Sequence, residues 1–313
     1  EGFLPTGEAV RWGADLRKFA SGYNIRDLWI GSEGTLGVIT RAVLKLVPKP
    51  ERRWTALAAF ENEAAALDAV KALMREKVVP SILEFLDRQT VVCTLRFTGR
   101  PMFELYPESA LLLLELDGPA GVVEAESAKV RSWGKAHALD MRETDDAVEA
   151  ESLWSVRRTC SQAMFQMGDT KLNEDVVVPM RSYRELLDYT LQLKAETGLA
   201  TPTFGHAADG NFHVHLMYER SDPKQLAAAE VGVRKLMEKV VSLGGAITGE
   251  HGIGLAKSPF LRLQHNEAEI RMMQGIKQVF DPKGILNPGK IFEPVEVWRM
   301  EPDYDFRFPW QKH

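Results

Sequence analysis

Hydrophobic and polar residues alternate so as to predict strands and helices in turn along the first half of the chain. Apolar runs of strand length are followed by longer stretches of helical spacing, such as residues 61–77, where Val70 and Leu73 lie three apart. The predicted strands are residues 54–60, 82–86, 110–116 and 138–142, and the predicted helices are residues 61–77 and 119–136. Two successive strand–helix–strand units predict a sheet covered by helices, of the α+β or α/β class.

The second half of the chain continues the alternation with longer elements. The predicted helices are residues 145–167, 181–197, 223–243 and 267–280, with a strand at residues 171–179 and a hairpin at residues 201–217. Asp222 followed by Pro223 is typical of a helix start, because the first residue caps free N–H groups and the second fits the first turn.

The first fifty residues predict short strands and turns. The apolar run 28–30 leads into a glycine-rich segment at residues 31–37, and residues 38–47 then alternate as a strand does. Pro48 and Pro50 interrupt this pattern, and we place a domain boundary there.

Composition places the chain among ordinary globular proteins. Of its 313 residues, 45% are hydrophobic and 27% are charged, and the formal net charge is −5. A nucleic-acid-binding protein of this size is usually basic, so we expect no nucleic acid partner. No apolar run approaches the roughly 18 residues that a membrane span requires. Two cysteines, Cys93 and Cys160, cannot form a disulfide framework, which favours the cytoplasm, with peripheral membrane association as an option.

Histidines concentrate in the sequence FGHAADGNFHVHL. Its Asp209-Gly210 pair is typical of a two-residue type I′ hairpin turn. Such a turn places His206 directly opposite His213 on one sheet face, with Cβ atoms about 4.5–5.5 Å apart, and His215 on the same face. Two imidazoles so placed can bind one metal ion. The alternative is a polar hairpin with surface histidines.

A second cluster, GGAITGEHGIG, places Glu250 next to His251 among glycines. Glycine allows close approach of a ligand or of another backbone segment, and neighbouring residues in extended chain point opposite ways. Glu250 is therefore a candidate third ligand beside His206 and His213, while His251 faces a different partner. Two histidines and one carboxylate suit zinc, iron or manganese. The alternative is a flexible glycine loop with an incidental acid.

Two further segments carry candidate binding residues. GSEGTLG has closely spaced glycines that let the backbone approach a cofactor, although it is neither a Rossmann fingerprint nor a P-loop. Arg157, within LWSVRRTCSQAM, is predicted on a helix and can bind a carboxylate in bidentate fashion. A solvated or paired surface arginine is the commoner alternative. Lys171 follows at the edge of the next strand.

Five segments, in order, resemble those of one known family. They are DLWIGSEGTLGVIT, KLNEDVVVP, FGHAADGNFHVHL, GGAITGEHGIGLAK and FDPKGILNPGKIF. Over about residues 22–292, the chain is similar to the C-terminal two-thirds of the FAD-linked oxidases of the vanillyl-alcohol oxidase superfamily. Within that superfamily it most resembles the glycolate oxidase subunits, D-lactate dehydrogenases and D-2-hydroxyglutarate dehydrogenases.

The resemblance implies two cofactors, FAD and a divalent metal ion that is zinc, iron or manganese. The implied FAD contacts are Gly31, Ser32, Glu33, Gly34, Thr35, Leu36, Gly37, Ile39, Asn287 and Lys290. The implied metal ligands are His206, His213 and Glu250, and the implied catalytic base is His251. The implied substrate-binding residues are Arg157, for the carboxylate, with Lys171, Glu174 and His215.

Three positions depart from the family pattern. Phe19 stands in place of an asparagine, and Ala208 replaces a glycine of the turn. His215 stands where the 2-hydroxyglutarate enzymes carry an asparagine that contacts the substrate. The last change leaves the substrate open among glycolate, D-lactate and D-2-hydroxyglutarate.

The resemblance also implies a domain organisation of the α+β class, with a mainly antiparallel sheet covered by helices. Residues 1–50 correspond to the end of an FAD-binding domain, residues 51–275 to a substrate or cap domain, and residues 276–313 to a segment that returns to the FAD-binding domain. The family's loop that binds the FAD pyrophosphate does not occur in this sequence. We therefore expect about 150 or more residues before Glu1, and poor FAD binding by this chain alone.

The implied reaction is flavin-dependent oxidation of a D-2-hydroxy acid to the 2-oxo acid. Electrons then pass to a quinone, a cytochrome, an iron–sulfur subunit or an electron-transfer flavoprotein, and a homo-oligomer or multi-subunit complex is expected. One alternative is an inactive or accessory subunit of a multi-subunit FAD-linked oxidase, against which the intact histidine and glutamate set argues. Another is a non-redox metal enzyme, against which the GSEGTLG and NPGK segments argue.

Overall fold

The computed structural model describes residues 1–293, which fall into two compact units. Of the described residues, 1–47 and 251–293 form the first unit, and Pro48–Glu250 form the second. The sequence predicted boundaries after residues 50 and 275. The chain rejoins the first unit earlier than predicted, because the backbone N–H groups of Ile253 and Gly254 donate to the carboxylate of Glu33.

Strands and helices alternate through most of the described chain. The strands are β1 (Gly2–Phe3), β2 (Ala9–Val10), β3 (Val38–Ile39), β4 (Arg52–Phe60), β5 (Ile82–Leu86), β6 (Ala110–Gly118), β7 (Asp140–Thr144), β8 (Thr170–Val177), β9 (Thr203–His206) and β10 (Asn211–Tyr218). The helices are α1 (Ile25–Ile30), α2 (Glu63–Arg75), α3 (Arg88–Thr98), α4 (Ala120–His137), α5 (Ala147–Ala163), α6 (Tyr183–Thr197), α7 (Pro223–Ser242), α8 (Leu261–Gln264) and α9 (Glu267–Phe280).

The second unit is built on a seven-stranded sheet in the order β7-β4-β6-β5-β9-β10-β8. Every neighbouring pair in this sheet is antiparallel. Strands β4, β5, β6 and β7 of this sheet, with helices α2 and α4, have the order of a ferredoxin-like β-α-β-β-α-β motif. Helix α3, between β5 and β6, is an addition to that motif. The predicted α+β class with a mainly antiparallel sheet is confirmed.

Both faces of this sheet are covered by helices. On one face, Leu57 of β4 belongs to a core cluster with Val91 of α3 and Val156 of α5. On the other face, Phe212 of β10 packs edge-on against Tyr183 of α6, with ring centroids 5.1 Å apart. Central strands therefore carry apolar residues on both faces, which explains why β4 and β6 show nearly continuous hydrophobic runs.

Helix α3 was missed by the sequence prediction. Its sequence, RQTVVCTLRFT, is rich in β-branched residues, which lowers its helix propensity. Two local features and one tertiary feature override that preference. The Asp87 side chain caps the N–H of Thr90, and Gly99 ends the helix in the left-handed conformation. Val91 and Cys93 are buried in the core, against residues from distant parts of the chain.

The first fifty residues hold less strand than predicted. Only Val38–Ile39 of the predicted strand 38–47 is paired, and the apolar run 28–30 is the end of helix α1. Leu44 and Leu46 are 77% and 87% exposed, and residues 40–47 have no partner strand within the described part of the chain. An alternating pattern alone does not make a strand where no neighbouring strand supplies hydrogen bonds.

The first unit contains a small antiparallel sheet, in the order β2-β1-β3, and helices α1, α8 and α9. The Lys277 ammonium of α9 donates to the backbone carbonyls of Thr35 and Leu286, at 2.8 and 2.9 Å. It thereby ties the glycine-rich segment to the segment after α9. Within residues 1–293, no helix is both long enough and apolar enough to cross a bilayer.

Candidate metal and substrate site

Neighbouring strands of the seven-stranded sheet present a polar row on one face. The register places Glu84 of β5 directly opposite His206 of β9, and His206 opposite Asn211 of β10. His213 follows on the same face, because side chains alternate along a strand. The predicted common face of the two histidines is confirmed. The predicted direct opposition is wrong, since the loop spans residues 207–210 rather than the Asp-Gly pair alone.

The side chains of His206, His213 and Glu250 lie close together. One potential ligand atom from each residue lies within 4.8 Å of those of the other two. The ring centroids of His206 and His213 are 5.7 Å apart, and Nε2 of His213 lies 3.8 Å from the Glu250 carboxylate. Two imidazole nitrogens and one carboxylate oxygen at this spacing can hold a zinc, iron or manganese ion.

The loop that carries Glu250 is fixed by a buried carboxylate, that of Asp175 on β8. Asp175 has no exposed surface and lies directly opposite His213 in the sheet. Its oxygens accept hydrogen bonds from the Asn211 amide at 2.5 Å and from the backbone N–H of Glu250 at 2.9 Å. The strand therefore sets the position of the loop, and with it the third potential ligand.

Glu84 contacts two of the predicted site residues. One carboxylate oxygen contacts Nδ1 of His206, and the other accepts a hydrogen bond from Nε of Arg157 at 2.6 Å. Burial by itself favours the neutral acid, but the hydrogen bond from His206 and the charge of Arg157 hold the pKa of Glu84 below its usual value. The same hydrogen bond raises the pKa of His206.

Arg157 lines an open cleft of about 460 Å³ together with His206 and Glu84. Its guanidinium also lies over the ring of Phe204, with 4.4 Å to the ring centroid. Trp154 of the same helix contributes another wall of the cleft. The Nε atom of Arg157 is occupied by Glu84, so a ligand carboxylate in the cleft meets the two terminal nitrogens of the guanidinium.

The remaining predicted substrate residues do not all lie on the same face of the sheet. Lys171 and His215 share the sheet face of His213, whereas Glu174 lies on the opposite face, because adjacent strand residues point opposite ways. This placement contradicts the predicted grouping of Glu174 with Lys171 and His215, and its neighbour Asp175 shares their face instead. The Lys171 ammonium donates to the Ser161 hydroxyl at 2.7 Å, and burial lowers the pKa of Lys171.

His215 is almost completely buried, with 1% of its surface exposed. Its Nδ1 lies 3.1 Å from the carbonyl oxygen of Pro202, and its ring packs against Phe204 at a centroid distance of 5.0 Å. Burial lowers the pKa of His215 to about 3, so the ring is neutral at pH 7.

The predicted FAD segment lies in the first unit, where many of its polar groups are engaged by the protein itself. The hydroxyls of Ser32 and Thr35 donate to backbone carbonyls three residues earlier, at 2.6 and 2.7 Å. The Asn287 amide donates to the carbonyl of Gly34 at 2.8 Å. The segment, which contains Gly31, Glu33, Leu36 and Gly37, is therefore a turn held by several internal hydrogen bonds.

Three other predicted residues belong to the first unit. Half of the Ile39 surface is exposed, Lys290 is half-buried, and its backbone N–H donates to the carbonyl of Asn287. His251 is exposed and is the first residue of the chain's return to this unit. Glu250, its neighbour in sequence, is the last residue of the second unit.

Sequence reasoning missed two acidic residues at the site, Glu84 and Asp175. Glu84 is the one polar residue of an apolar strand, ILEFL, whereas Asp175 follows Asn173 and Glu174 in the mixed strand TKLNEDVV. Buried carboxylates are rare unless they are paired, so the lone acid of an otherwise apolar strand, as at Glu84, is itself a signal of a polar partner. Which partner it has depends on strand order, and the sequence does not show that order.

Comparison with known proteins places the chain in one family. The family model for FAD linked oxidases, C-terminal domain, matches residues 49–291. The chain is 36% identical over 292 residues to the glycolate oxidase subunit GlcD of Bacillus subtilis, an alignment that covers 92% of this chain and 61% of that protein. It is 37% identical over 306 residues to the D-lactate dehydrogenase of Anaerostipes hadrus, covering 92% and 62% of the two chains.

Solved structures share the fold at lower identity. A 4-ethylphenol oxidase from Gulosibacter chungangensis, in an isoeugenol complex, matches 96% of this chain and 66% of its own with a TM-score of 0.71 and 18% identity. A p-cresol methylhydroxylase with substrate bound matches 94% and 64% with a TM-score of 0.72 and 14% identity. The chain spans about three-fifths of the length of the curated relatives it matches. By its family match and its sequence identity, this chain belongs to the FAD-linked oxidases, and residues 49–291 form their C-terminal domain.

Proposed function

We propose that the full-length protein is an FAD-dependent dehydrogenase or oxidase that converts a D-2-hydroxy acid to the 2-oxo acid. Similarity to a glycolate oxidase subunit and to a D-lactate dehydrogenase supports this class of substrate. The observation that carries the proposal is the convergence of His206, His213 and Glu250 beside a cleft lined by an arginine.

The residues of the second unit fit a divalent metal ion. His213 and Glu250 present a ring nitrogen and a carboxylate oxygen toward each other, and the contact of Glu84 with Nδ1 of His206 leaves Nε2 as the metal-binding nitrogen. Three protein ligands leave coordination positions open for a substrate. When bound, the ion supplies Lewis acidity that favours loss of the substrate's hydroxyl proton.

The residues of the first unit fit a flavin at the segment from Gly31 to Gly37, with Ile39, Asn287 and Lys290. The segment is held in shape by internal hydrogen bonds, and Ile39 offers exposed apolar surface next to it. A preformed turn with a neighbouring apolar side chain suits the face of a flat ring system. When bound, FAD supplies the acceptor for the hydrogen and electron pair that leave C2 of the substrate.

The chain's own residues supply the remaining steps. Arg157 binds the substrate carboxylate through its terminal nitrogens, while Phe204 and Glu84 hold the guanidinium in place. His251 accepts the proton of the substrate hydroxyl, which is a common role of imidazole in catalysis. Lys171 and His215, which share the sheet face of His213, contribute further contacts on the substrate side.

The electron acceptor belongs to the same proposal. A quinone, a cytochrome, an iron–sulfur subunit and an electron-transfer flavoprotein each fit a reduced flavin. The two cysteines of this sequence, Cys93 and Cys160, are too few to hold a four-cysteine iron–sulfur cluster within the chain. An iron–sulfur acceptor would therefore need cysteines from outside these 313 residues.

A substrate screen on the full-length protein tests the proposal. Glycolate, D-lactate and D-2-hydroxyglutarate are each supplied with an artificial electron acceptor, and dye reduction is followed. Turnover with at least one D-2-hydroxy acid, and little with its L-enantiomer where one exists, is expected. A flavin-containing preparation that turns over none of them would instead support an accessory, non-catalytic subunit.

A further inference from the structure

We infer that Glu84 is a positioning residue that fixes both the metal-binding nitrogen of His206 and the guanidinium of Arg157. The inference rests on the proposed function, because it deepens the account of the same site. Glu84 does not contact the reacting atoms in this account. It acts through its two neighbours, one on the metal side and one on the substrate side.

Backbone register brings Glu84 and His206 together. The two residues are direct partners across β5 and β9, so their side chains leave the same face of adjacent strands. Glu84 is 4% exposed, and the carboxylate contacts Nδ1 of His206. A carboxylate accepts and cannot donate, so Nδ1 carries a proton and the lone pair for a metal ion is on Nε2.

The second oxygen of the same carboxylate binds Arg157. Oε2 of Glu84 accepts from Nε of Arg157 at 2.6 Å, while Oε1 faces His206. The guanidinium is further held over Phe204, which lies on β9 two residues before His206. One buried carboxylate therefore bridges the two residues, and a change in Glu84 alters the placement of both.

A second buried glutamate, Glu115, pairs with an arginine but contacts none of the candidate metal ligands. Glu115 lies on the same sheet face, is 3% exposed and also pairs with an arginine, Arg53, at 3.0 Å. Its other hydrogen-bond partners are Trp154 and Thr55. Glu115→Gln is therefore a matched control for Glu84→Gln, because both replace a buried, arginine-paired carboxylate with an amide of the same shape.

Titration with Co²⁺ tests the inference without any need for flavin. The 313-residue chain and its His213→Ala, Glu84→Gln and Glu115→Gln variants are titrated, and visible absorption reports the coordination of the ion. Loss of a carboxylate that orients a metal-binding histidine costs about 10–100-fold in metal affinity. We expect this loss and an altered Co²⁺ spectrum for Glu84→Gln, and a change of less than about threefold for Glu115→Gln.

The variants separate failure of this inference from failure of the proposed site. If His213→Ala leaves Co²⁺ affinity unchanged, the metal site itself is wrong, and both proposals fall. If His213→Ala abolishes binding while Glu84→Gln matches Glu115→Gln, only the role of Glu84 is overturned.

If Glu84→Gln does not fold, NMR spectroscopy of the unmodified chain tests the inference through the protonation of the two ring nitrogens of His206. In long-range ¹H–¹⁵N spectra of the Zn²⁺-loaded chain, we expect the proton of His206 on Nδ1 and the metal on Nε2. Zinc bound through Nδ1 of His206 would overturn the inference.

Discussion

The buried carboxylate of Asp175 accepts a hydrogen bond from the backbone N–H of Glu250, with 2.9 Å between nitrogen and oxygen. The same oxygen accepts from the backbone N–H of Gly249 at 2.8 Å and from the Thr248 hydroxyl at 3.0 Å. Strand β8, which pairs with the strand of His213, thus fixes the position of the loop that carries the third candidate ligand, Glu250. The geometry of the candidate metal site therefore depends in part on Asp175, which is not one of its three candidate ligands.

Replacing Asp175 by alanine is expected to lower both stability and metal affinity. Several hydrogen bonds to a charged group are lost, each worth about 1.5–3 kcal/mol, so we expect the free energy of unfolding to fall by about 3 kcal/mol or more. Urea unfolding of the chain measures this loss. Asp188→Ala, at an exposed carboxylate on α6, is the control and should change the free energy by less than about 0.5 kcal/mol. Equal effects of the two substitutions would contradict the account.

Replacing His213 by alanine is expected to remove the metal and most of the activity together. His213 is buried against Phe204 and lies 3.8 Å from the Glu250 carboxylate, so alanine removes one of the three candidate ligands. Metal content and turnover of the full-length protein are measured side by side. His137→Ala, at an exposed histidine on α4, should keep both. Full activity in a metal-free preparation would refute the assignment.

Alanine substitutions of Glu250 and His251 are expected to affect different properties, metal affinity in the first case and turnover in the second. Glu250→Ala should lose metal affinity first, and added metal should partly restore the rate. His251→Ala should keep the metal and lose turnover by about 10²–10⁴-fold, the usual value of a positioned acid–base group. Metal content and the rate of flavin reduction distinguish the two outcomes.

The roles of this pair are reversed if His251→Ala strips the metal while Glu250→Ala leaves it bound. His265→Ala, at another histidine of the first unit, is the control and should change neither quantity.

Asp87 is expected to make stability depend on pH. Burial raises the pKa of this N-cap carboxyl to about 7, above its unfolded value of about 3.9. The folded state therefore holds a proton that the unfolded state has lost between these values. The contribution of Asp87 to stability is complete below about pH 3.9 and is lost as pH rises through 7, at a slope of up to about 1.4 kcal/mol per pH unit.

The variant Asp87→Asn isolates this effect, because asparagine caps a helix about as well as aspartate and does not titrate. Denaturant midpoints between pH 4 and pH 8 should show the variant gaining stability relative to the wild type as pH rises. The matched control is Asp146→Asn, which alters the exposed N-cap of α5. Parallel pH curves for wild type and Asp87→Asn would contradict the prediction.

The sequence predicted the elements of the second unit well, because their hydrophobic periodicity reflects real burial. Strands 54–60, 82–86 and 110–116 match β4, β5 and β6 within a few residues. The sequence-based prediction failed for elements whose formation depends on contacts with distant parts of the chain. Alternating residues at 38–47 stay largely unpaired, and α3 forms despite weak helix propensity because its side chains fill the core.

At the site, local spacing placed His206 and His213 on one face but gave the wrong register. The loop has four residues, since Gly210 adopts a positive φ of 86° while both its N–H and that of Asp209 donate to the carbonyl of His206. The contacts of Glu84 lie beyond any local pattern. They depend on β5 lying beside β9, and that neighbour relation follows from the sheet order of the whole unit.

The central claim is tested most directly by anaerobic reduction of the flavin in a single turnover of the full-length protein. Glycolate, D-lactate and D-2-hydroxyglutarate are each mixed with metal-loaded and with metal-depleted protein, and the visible absorbance of the flavin is followed. The account predicts rapid bleaching by at least one of these acids in the loaded protein, and much slower bleaching after metal depletion that zinc, iron or manganese restores. No bleaching by any 2-hydroxy acid in the metal-loaded protein, or equal rates with and without the metal, would contradict it.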